Sequence, residues 1–381
     1  MRGAQYLRPA GVTLNRNLTP SVSGLWLQAV TSGLDRHRRC QLKPRILCVA
    51  VALTLAACVH APASHSRYEL GATYPLPGPG RWDLLAVDPA HHHVYVSRSD
   101  RVQVLDTQTG ALAGTVEGTD GVHGIAIAQS LGRGFTTDGH SNSVTEFDLS
   151  TFRKLQAIPV TGQSPDAALY DDYSKHLFVF NARSNNASVI DPVSGKEIGT
   201  VAFTGNPELG ASDGKGHVFV NIEDKAQLVV INASSLQIEH VWGLEGCEEP
   251  SGLALDIAHA RLFSVCQNGT MAITDANDGH AVARVAIGEG PDGAAFDPQS
   301  QDAFSPNGKS GTLTIVHEDD PGHFTVVQTL ATQRSARTIA LDPTTHRLYL
   351  PAAQFGPAPA DPKQRPPMVL GSVRLLSVWK H

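Results

Sequence analysis

Methionine is nearly missing from this 381-residue chain, at three residues, and none lies between Met1 and Met271. No segment has the periodicity of an amphipathic helix, and the main apolar run, residues 46–55, is too short to span a bilayer as a permanent helix. The chain has no Gly-x-Ser-x-Gly elbow, phosphate loop, Cys-x-x-Cys or haem-attachment sequence. Those absences speak against elbow-serine hydrolysis, nucleotide use and covalent haem. Basic charge is also scarce once the first 57 residues are set aside: 22 Lys and Arg face 35 Asp and Glu, a net of −13. So acidic a body lacks the basic stripe that displaces counterions from nucleic acid, and does not adhere to anionic lipid through charge. What is abundant is glycine, at 35, and proline, at 24, which points to many turns between short elements.

The first 57 residues read as an address. They hold eight basic side chains and one acid, Asp35. A basic stretch from Arg36 to Arg45 leads into the apolar run, and Leu55-Ala56-Ala57-Cys58 closes it, the pattern of an export signal. The closing tetrapeptide resembles the lipobox of bacterial lipoproteins. On that resemblance Cys58 carries the lipid, and Val59 after it favours outer-membrane sorting, in a protein facing the periplasm. Residues 1–41 have no export logic and are expected to be a misassigned start, with translation from Leu42, a signal over 42–57 and a tether over 58–66. Cys247 and Cys266 then lie in an oxidising compartment, where an even pair is expected to form a disulfide.

From residue 67 to 381 the chain repeats itself. A short apolar run ending in Asp recurs as Asp83-LLAV-Asp88, Asp166-AALY-Asp171, Glu208-LGAS-Asp213, Ser251-GLAL-Asp256, Asp292-GAAF-Asp297 and Arg337-TIAL-Asp342, with His123-GIAI-Ala128 a variant. Their first residues are spaced 40, 43, 42, 43, 41 and 45 apart. Each unit continues with three more strand-like runs, such as HVYVS (93–97), VQVLD (102–106) and ALAGTVEG (111–118), with turn chemistry after the third. Four short strands per unit of this length is the blade of a β-propeller. The seventh unit stops after its third strand, residues 373–379, and residues 68–76 are expected to supply the fourth. The fold expected is all-β: a seven-bladed propeller with four-stranded blades, its ring closed by the N-terminal strand, which removes two exposed edges.

The segments VHGIAIA (122–128), GRGFTTDG (132–139), GNPELGASDGKGHVFVNIEDK (205–225), CEEPSGLALD (247–256), FSPNGKSGTLTIV (304–316) and ARTIALDPTTHRLYLP (336–351) carry a resemblance. The repeats resemble YVTN-type propellers, and the body after residue 66 resembles the YncE-like family of exported bacterial proteins. The resemblance implies the fold but no agreed activity, and the chain is expected to be a monomer.

In a propeller the residue opening each first strand sits at one mouth of the channel. That column here is Asp83, His123, Asp166, Glu208, Ser251, Asp292 and Arg337. It stays polar while its identity varies, so the blade itself does not dictate it. Four converging carboxylates raise one another's pKa unless compensated. Arg337, able to pair with Asp83 or Asp292, and His123 supply part of that compensation, and a divalent cation is the one cofactor the column invites. Oxygen ligands suit Ca²⁺, and His123 beside Asp166, Glu208 and Asp292 suits Zn²⁺. Loops on the same face are expected to bring Asp138, His140, Asn181, Asn221, Glu223, Asn268 and Asn307 toward the mouth, under a proline-rich rim from Gln354 to Gly371.

The reading that follows is a lipid-anchored module whose mouth binds a small ligand, metal or protein without turnover. Its alternatives are a metal-assisted lactonase, in which Asp166, Glu208 or His123 activates water, and the single-stranded DNA binding that the YncE-like resemblance implies. The acidic body and few aromatics disfavour the last.

Overall fold

The computed structural model describes residues 67–381 except 358, 360–363 and 365. The export signal, the lipidation site Cys58 and the candidate start lie outside the described residues. Within them the regular structure is strand apart from two single-turn 3-10 helices, Gln129–Leu131 and Glu223–Lys225.

In chain order the strands are β1 (Tyr68–Pro75), β2 (Leu85–Asp88), β3 (His93–Ser97), β4 (Ser99–Asp106), β5 (Leu112–Ala128), β6 (Arg133–Asp138), β7 (Ser143–Asp148) and β8 (Lys154–Pro159). Next come β9 (Pro165–Asp171), β10 (His176–Asn181), β11 (Asn186–Asp191), β12 (Lys196–Ala202), β13 (Pro207–Ser212), β14 (His217–Ile222), β15 (Gln227–Asn232) and β16 (Ile238–Gly243). The last are β17 (Pro250–Asp256), β18 (Arg261–Cys266), β19 (Thr270–Asp275), β20 (Ala281–Ala286), β21 (Ala295–Asp297), β22 (Asp302–Asn307), β23 (Thr312–Asp320), β24 (His323–Ala331), β25 (Ala340–Asp342), β26 (Arg347–Ala352) and β27 (Arg374–Lys380).

They form six antiparallel sheets. Four are consecutive four-stranded meanders, β9–β12, β13–β16, β17–β20 and β21–β24, as expected of propeller blades. A fifth has the order β1-β27-β26-β25, so the first described strand pairs with the last, Tyr68 opposite Lys380 and Pro75 opposite Arg374. The sixth runs β2 to β8 through the 17-residue β5, whose first part pairs with β4 and whose last part pairs with β6. The first strand of each repeat touches the next in succession: β2 with β5, β5 with β9, β9 with β13, β13 with β17, β17 with β21, β21 with β25, and β25 with β2.

Burial explains the sequence pattern. Second and third strands such as β10 and β11 are buried apart from their first or last residues, whereas the outer strand β8 is exposed at all but one position. Apolar clusters fill the spaces between adjacent sheets. Phe178, Phe180 and Val189 of one sheet pack against Val218, Val220 and Val229 of the next, and each such side chain contributes roughly 1.5–3 kcal/mol on burial. The Asp ending each repeated phrase caps the following turn: Asp88 Oδ1 accepts the backbone N–H of Ala90 and His91 at 3.1 and 3.2 Å. Glycine at the second position of the phrase allows inner strands to approach closely, since a Cβ at Gly124 would lie 2.5 Å from the Asp166 carbonyl oxygen. Cys247 and Cys266 are joined, with Cα atoms 5.4 Å apart, tying the loop before β17 to the end of β18.

Candidate binding site

Six of the seven column residues come together. Asp83, His123, Asp166, Glu208, Asp292 and Arg337 line one cavity of about 190 Å³, with Leu84 and Leu209. The seventh, Ser251, is 1 % exposed and turned away: its hydroxyl donates to the Pro291 carbonyl at 3.1 Å. The physical reason is length, because a serine hydroxyl reaches the neighbouring backbone before it reaches the cavity.

Arg337 organises one side. Its Nε donates to Asp292 Oδ2 at 2.5 Å and its Nη2 to Asp83 Oδ1 at 2.6 Å. His123 Nδ1 lies 2.6 Å from the other Asp83 oxygen and 3.7 Å from Asp166 Oδ1. Asp83, His123 and Asp166 therefore offer three ligand atoms within 4.8 Å of one another. Of the four residues expected to hold a metal, His123 and Asp166 belong to this trio; Asp292 is engaged by Arg337, and Glu208 stands apart, accepting from Asn206 Nδ2 at 3.3 Å.

The electrostatics divide the cavity in two. Burial pushes Asp83 up, but the hydrogen bond with His123 and the charge of Arg337 outweigh it and hold the carboxyl below its usual value. The same hydrogen bond raises His123 against the effect of burial, and Arg337 is raised by its two carboxylates despite its own burial. Across the cavity, burial and then the charge of Asp83 lift Asp166 to about 7. Burial, then Asp166 and Asp292, lift Glu208 well above its usual range, and burial raises Asp292 in spite of Arg337. Asp166 keeps 32 % of its side-chain surface wet, so it titrates in contact with solvent. Asp83, Arg337 and His123 thus satisfy one another, while Asp166 has only the more distant His123 at 3.7 Å and Glu208 has no ion-pair partner among the described residues.

The loops on this face differ from expectation. Asp138, Asn181, Asn221 and Asn307 are buried inside their sheets and serve as clamps. Asp138 accepts from Thr145 Oγ1 at 2.5 Å, Asn181 donates to Ser188 Oγ at 3.1 Å, and Asn307 donates to Thr314 Oγ1 at 2.9 Å. In each case the partner lies seven residues on, across the hairpin, so sheet geometry draws the side chain inward. Asn221 instead donates to the carbonyls of Ser251 and Gly252, both at 3.2 Å. Glu223 accepts from Asn206 at 2.8 Å, Asn268 bonds the Gly246 carbonyl at 3.1 Å, and His140 remains exposed beside Asp120.

Residues absent from the sequence reading extend the site. A vestibule of about 610 Å³ shares Asp292 and Arg337 with the carboxylate cavity and is lined by Arg81, Gln267, Lys309, Arg334 and Phe355. Phe355 comes from the proline-rich insertion, its ring 6.1 Å from that of Trp82. Fully buried Arg98 secures this wall, donating to the carbonyls of Leu76, Gly78, Pro79, Gly80 and Arg81 at 2.9–3.3 Å. None of these cations shares a repeat position with the column, so no periodicity could have revealed them; their common signal is a basic residue in a loop on the mouth face.

No protein-family model and no curated protein matches this sequence. In three dimensions the chain is similar to a chain of hydrazine synthase from Kuenenia stuttgartiensis, with a TM-score of 0.61 and 17 % identity over 74 % of this chain and 94 % of that one. At that identity the likeness carries the fold alone. The chain is an all-β protein of propeller-like architecture.

Proposed function

We propose that this chain is a closed, seven-bladed propeller of the YncE-like kind, exported and lipid-anchored through Cys58, and that its mouth binds a small ligand through a cationic group. For seven blades, the support is the division of β5 between two pairings, which makes the seven-stranded sheet two blades joined by one long strand. For closure, it is the cyclic succession of inner-strand contacts and the β1–β27 pairing. The observation that carries the function is that Asp166 and Glu208, both raised by burial and then by neighbouring carboxylates, line a cavity whose guanidinium, Arg337, is committed to Asp83 and Asp292. A protonated amine or a divalent cation there would remove a repulsion the fold otherwise tolerates. Arg81, Lys309 and Arg334 in the vestibule favour an anionic group at the ligand's other end.

The Asp83–His123–Asp166 trio favours a second reading, metal-assisted hydrolysis. It ranks below binding because Asp83 already receives both His123 and Arg337, so ligation would first have to break those bonds. The test is calorimetric titration with Ca²⁺ and with a series of primary amines carrying a carboxylate, on the parent and on Asp166→Asn/Glu208→Gln. Saturable binding lost in a folded double variant supports the reading; equal binding by both proteins, or by neither, sinks it.

A further inference from the structure

At the other end of β17 from Ser251, three side chains meet across two adjacent sheets. Asp256 ends β17, His259 stands in the turn after it, and Glu318 projects from β23 of the next sheet. His259 Nδ1 lies 2.7 Å from Asp256 Oδ2 and 3.1 Å from Glu318 Oε1. The ligand atoms of all three fall within 4.8 Å of one another. The carboxylates are buried, at 3 % and 1 % side-chain exposure, and His259 is a third exposed.

What sets this cluster apart is how little of it is hydrogen-bonded. Asp256 caps its turn through the backbone N–H of Ala258 and His259. Among the described residues, His259 Nδ1 and both oxygens of Glu318 have no hydrogen-bond partner: their short contacts lack the geometry of one. An unpaired buried carboxylate is costly. The guanidinium of Arg261 bonds elsewhere, donating to Asp275 Oδ2 at 2.5 Å and to the Pro321 carbonyl at 2.7 Å. The first repeat provides an internal comparison. Asp88 and His91 occupy the same turn positions at the same 2.7 Å separation, but as an ordinary hydrogen bond.

We infer that Asp256, His259 and Glu318 form a site for one divalent transition cation, Zn²⁺ by preference, that staples two neighbouring sheets on the face away from the mouth. One imidazole nitrogen and two carboxylate oxygens are a donor set that suits Zn²⁺ and leaves a position for water. Glu318 oxygens that are buried and unpaired, aimed at the same point as an imidazole nitrogen and a second carboxylate, are what a cation requires.

The test uses the purified protein stripped with chelator, titrated with Zn²⁺ and separately with Co²⁺, whose visible bands report ligand geometry. The parent, Glu318→Gln, His259→Ala and the mouth variant Asp166→Asn/Glu208→Gln are compared. Expected are one tightly bound Zn²⁺, a rise in melting temperature on its addition and a visible Co²⁺ spectrum, all retained in the mouth variant. Affinity should fall at least tenfold in Glu318→Gln and in His259→Ala; the partly exposed His259 protects the test against a Glu318 variant that does not fold. Retention of full affinity in both variants overturns the proposal. So does a parent that ignores both metals while Glu318→Gln is simply more stable at pH 8, since the carboxylates would then share a proton.

Discussion

Reduction of the Cys247–Cys266 bond is the perturbation whose size follows most directly from the structure. The two residues are 19 apart in sequence, and closing a loop of that length removes about 3 kcal/mol of chain entropy from the unfolded state. Little offsets the loss on reduction, because both side chains are already buried, at 3 % and 0 %, among Leu244, Leu253 and Leu262. Spread over an unfolding entropy of about 2 cal/mol/K per residue for roughly 300 residues, 3 kcal/mol corresponds to a melting shift of about 5 °C. Scanning calorimetry of the parent with and without dithiothreitol, beside Cys247→Ala/Cys266→Ala, measures it. The parent should fall by about that amount when reduced. The double variant should start near the reduced value and ignore the reductant. An equal response in the double variant, or no change in a parent whose thiols are shown by mass to be free, would refute the reasoning.

Further expectations concern the mouth, its wall and the anchor. Asp166 is raised from the ordinary carboxylate value to about 7, so the folded state binds its proton more tightly than the unfolded state does. Its contribution is fully present below about pH 4 and is lost as pH rises through 7; Asp166→Asn should therefore melt higher than the parent at pH 8, with the gap closing by pH 4. Arg337→Met leaves Asp83 and Asp292 facing each other; because Arg337 is 38 % exposed, the cost should be roughly 2 kcal/mol, below that of a fully buried pair, and should shrink in acid as the carboxyls protonate. Arg98→Met strands several loop carbonyls and should cost about 3 kcal/mol or more in chemical denaturation. Cys58→Ser should abolish incorporation of labelled palmitate in a bacterial host; undiminished labelling would remove the anchor from the proposal.

Repeat-encoded features were the legible ones. The second strands expected at 93–97 and 262–266 are β3 and the body of β18, and the terminal strand expected at 68–76 is β1, paired with β27. Each rests on local rules repeated many times: a short apolar run that is buried along its length, an Asp that caps a turn, a glycine where two backbones meet. The column was legible for the same reason, since one register fixes one depth along every first strand. Loop side chains were not, because a loop's position does not say which way its residue points. Asn181 and Asn307 were expected at the mouth and instead bond inward across their hairpins.

By itself, the sequence determined the all-β character, the strand positions, the Cys247–Cys266 pairing and the meeting of six polar residues at one depth, because all of these follow from spacing along the chain. Only the tertiary structure decided how charge is shared among them: that Arg337 joins Asp83 to Asp292, that His123 bonds Asp83 and stands off Asp166, that Ser251 turns aside, and that Glu318 reaches His259 from another sheet. Those outcomes depend on distances of a few ångströms between segments far apart in sequence. Coulomb and hydrogen-bond energies change steeply over such distances, and no repeat period encodes them.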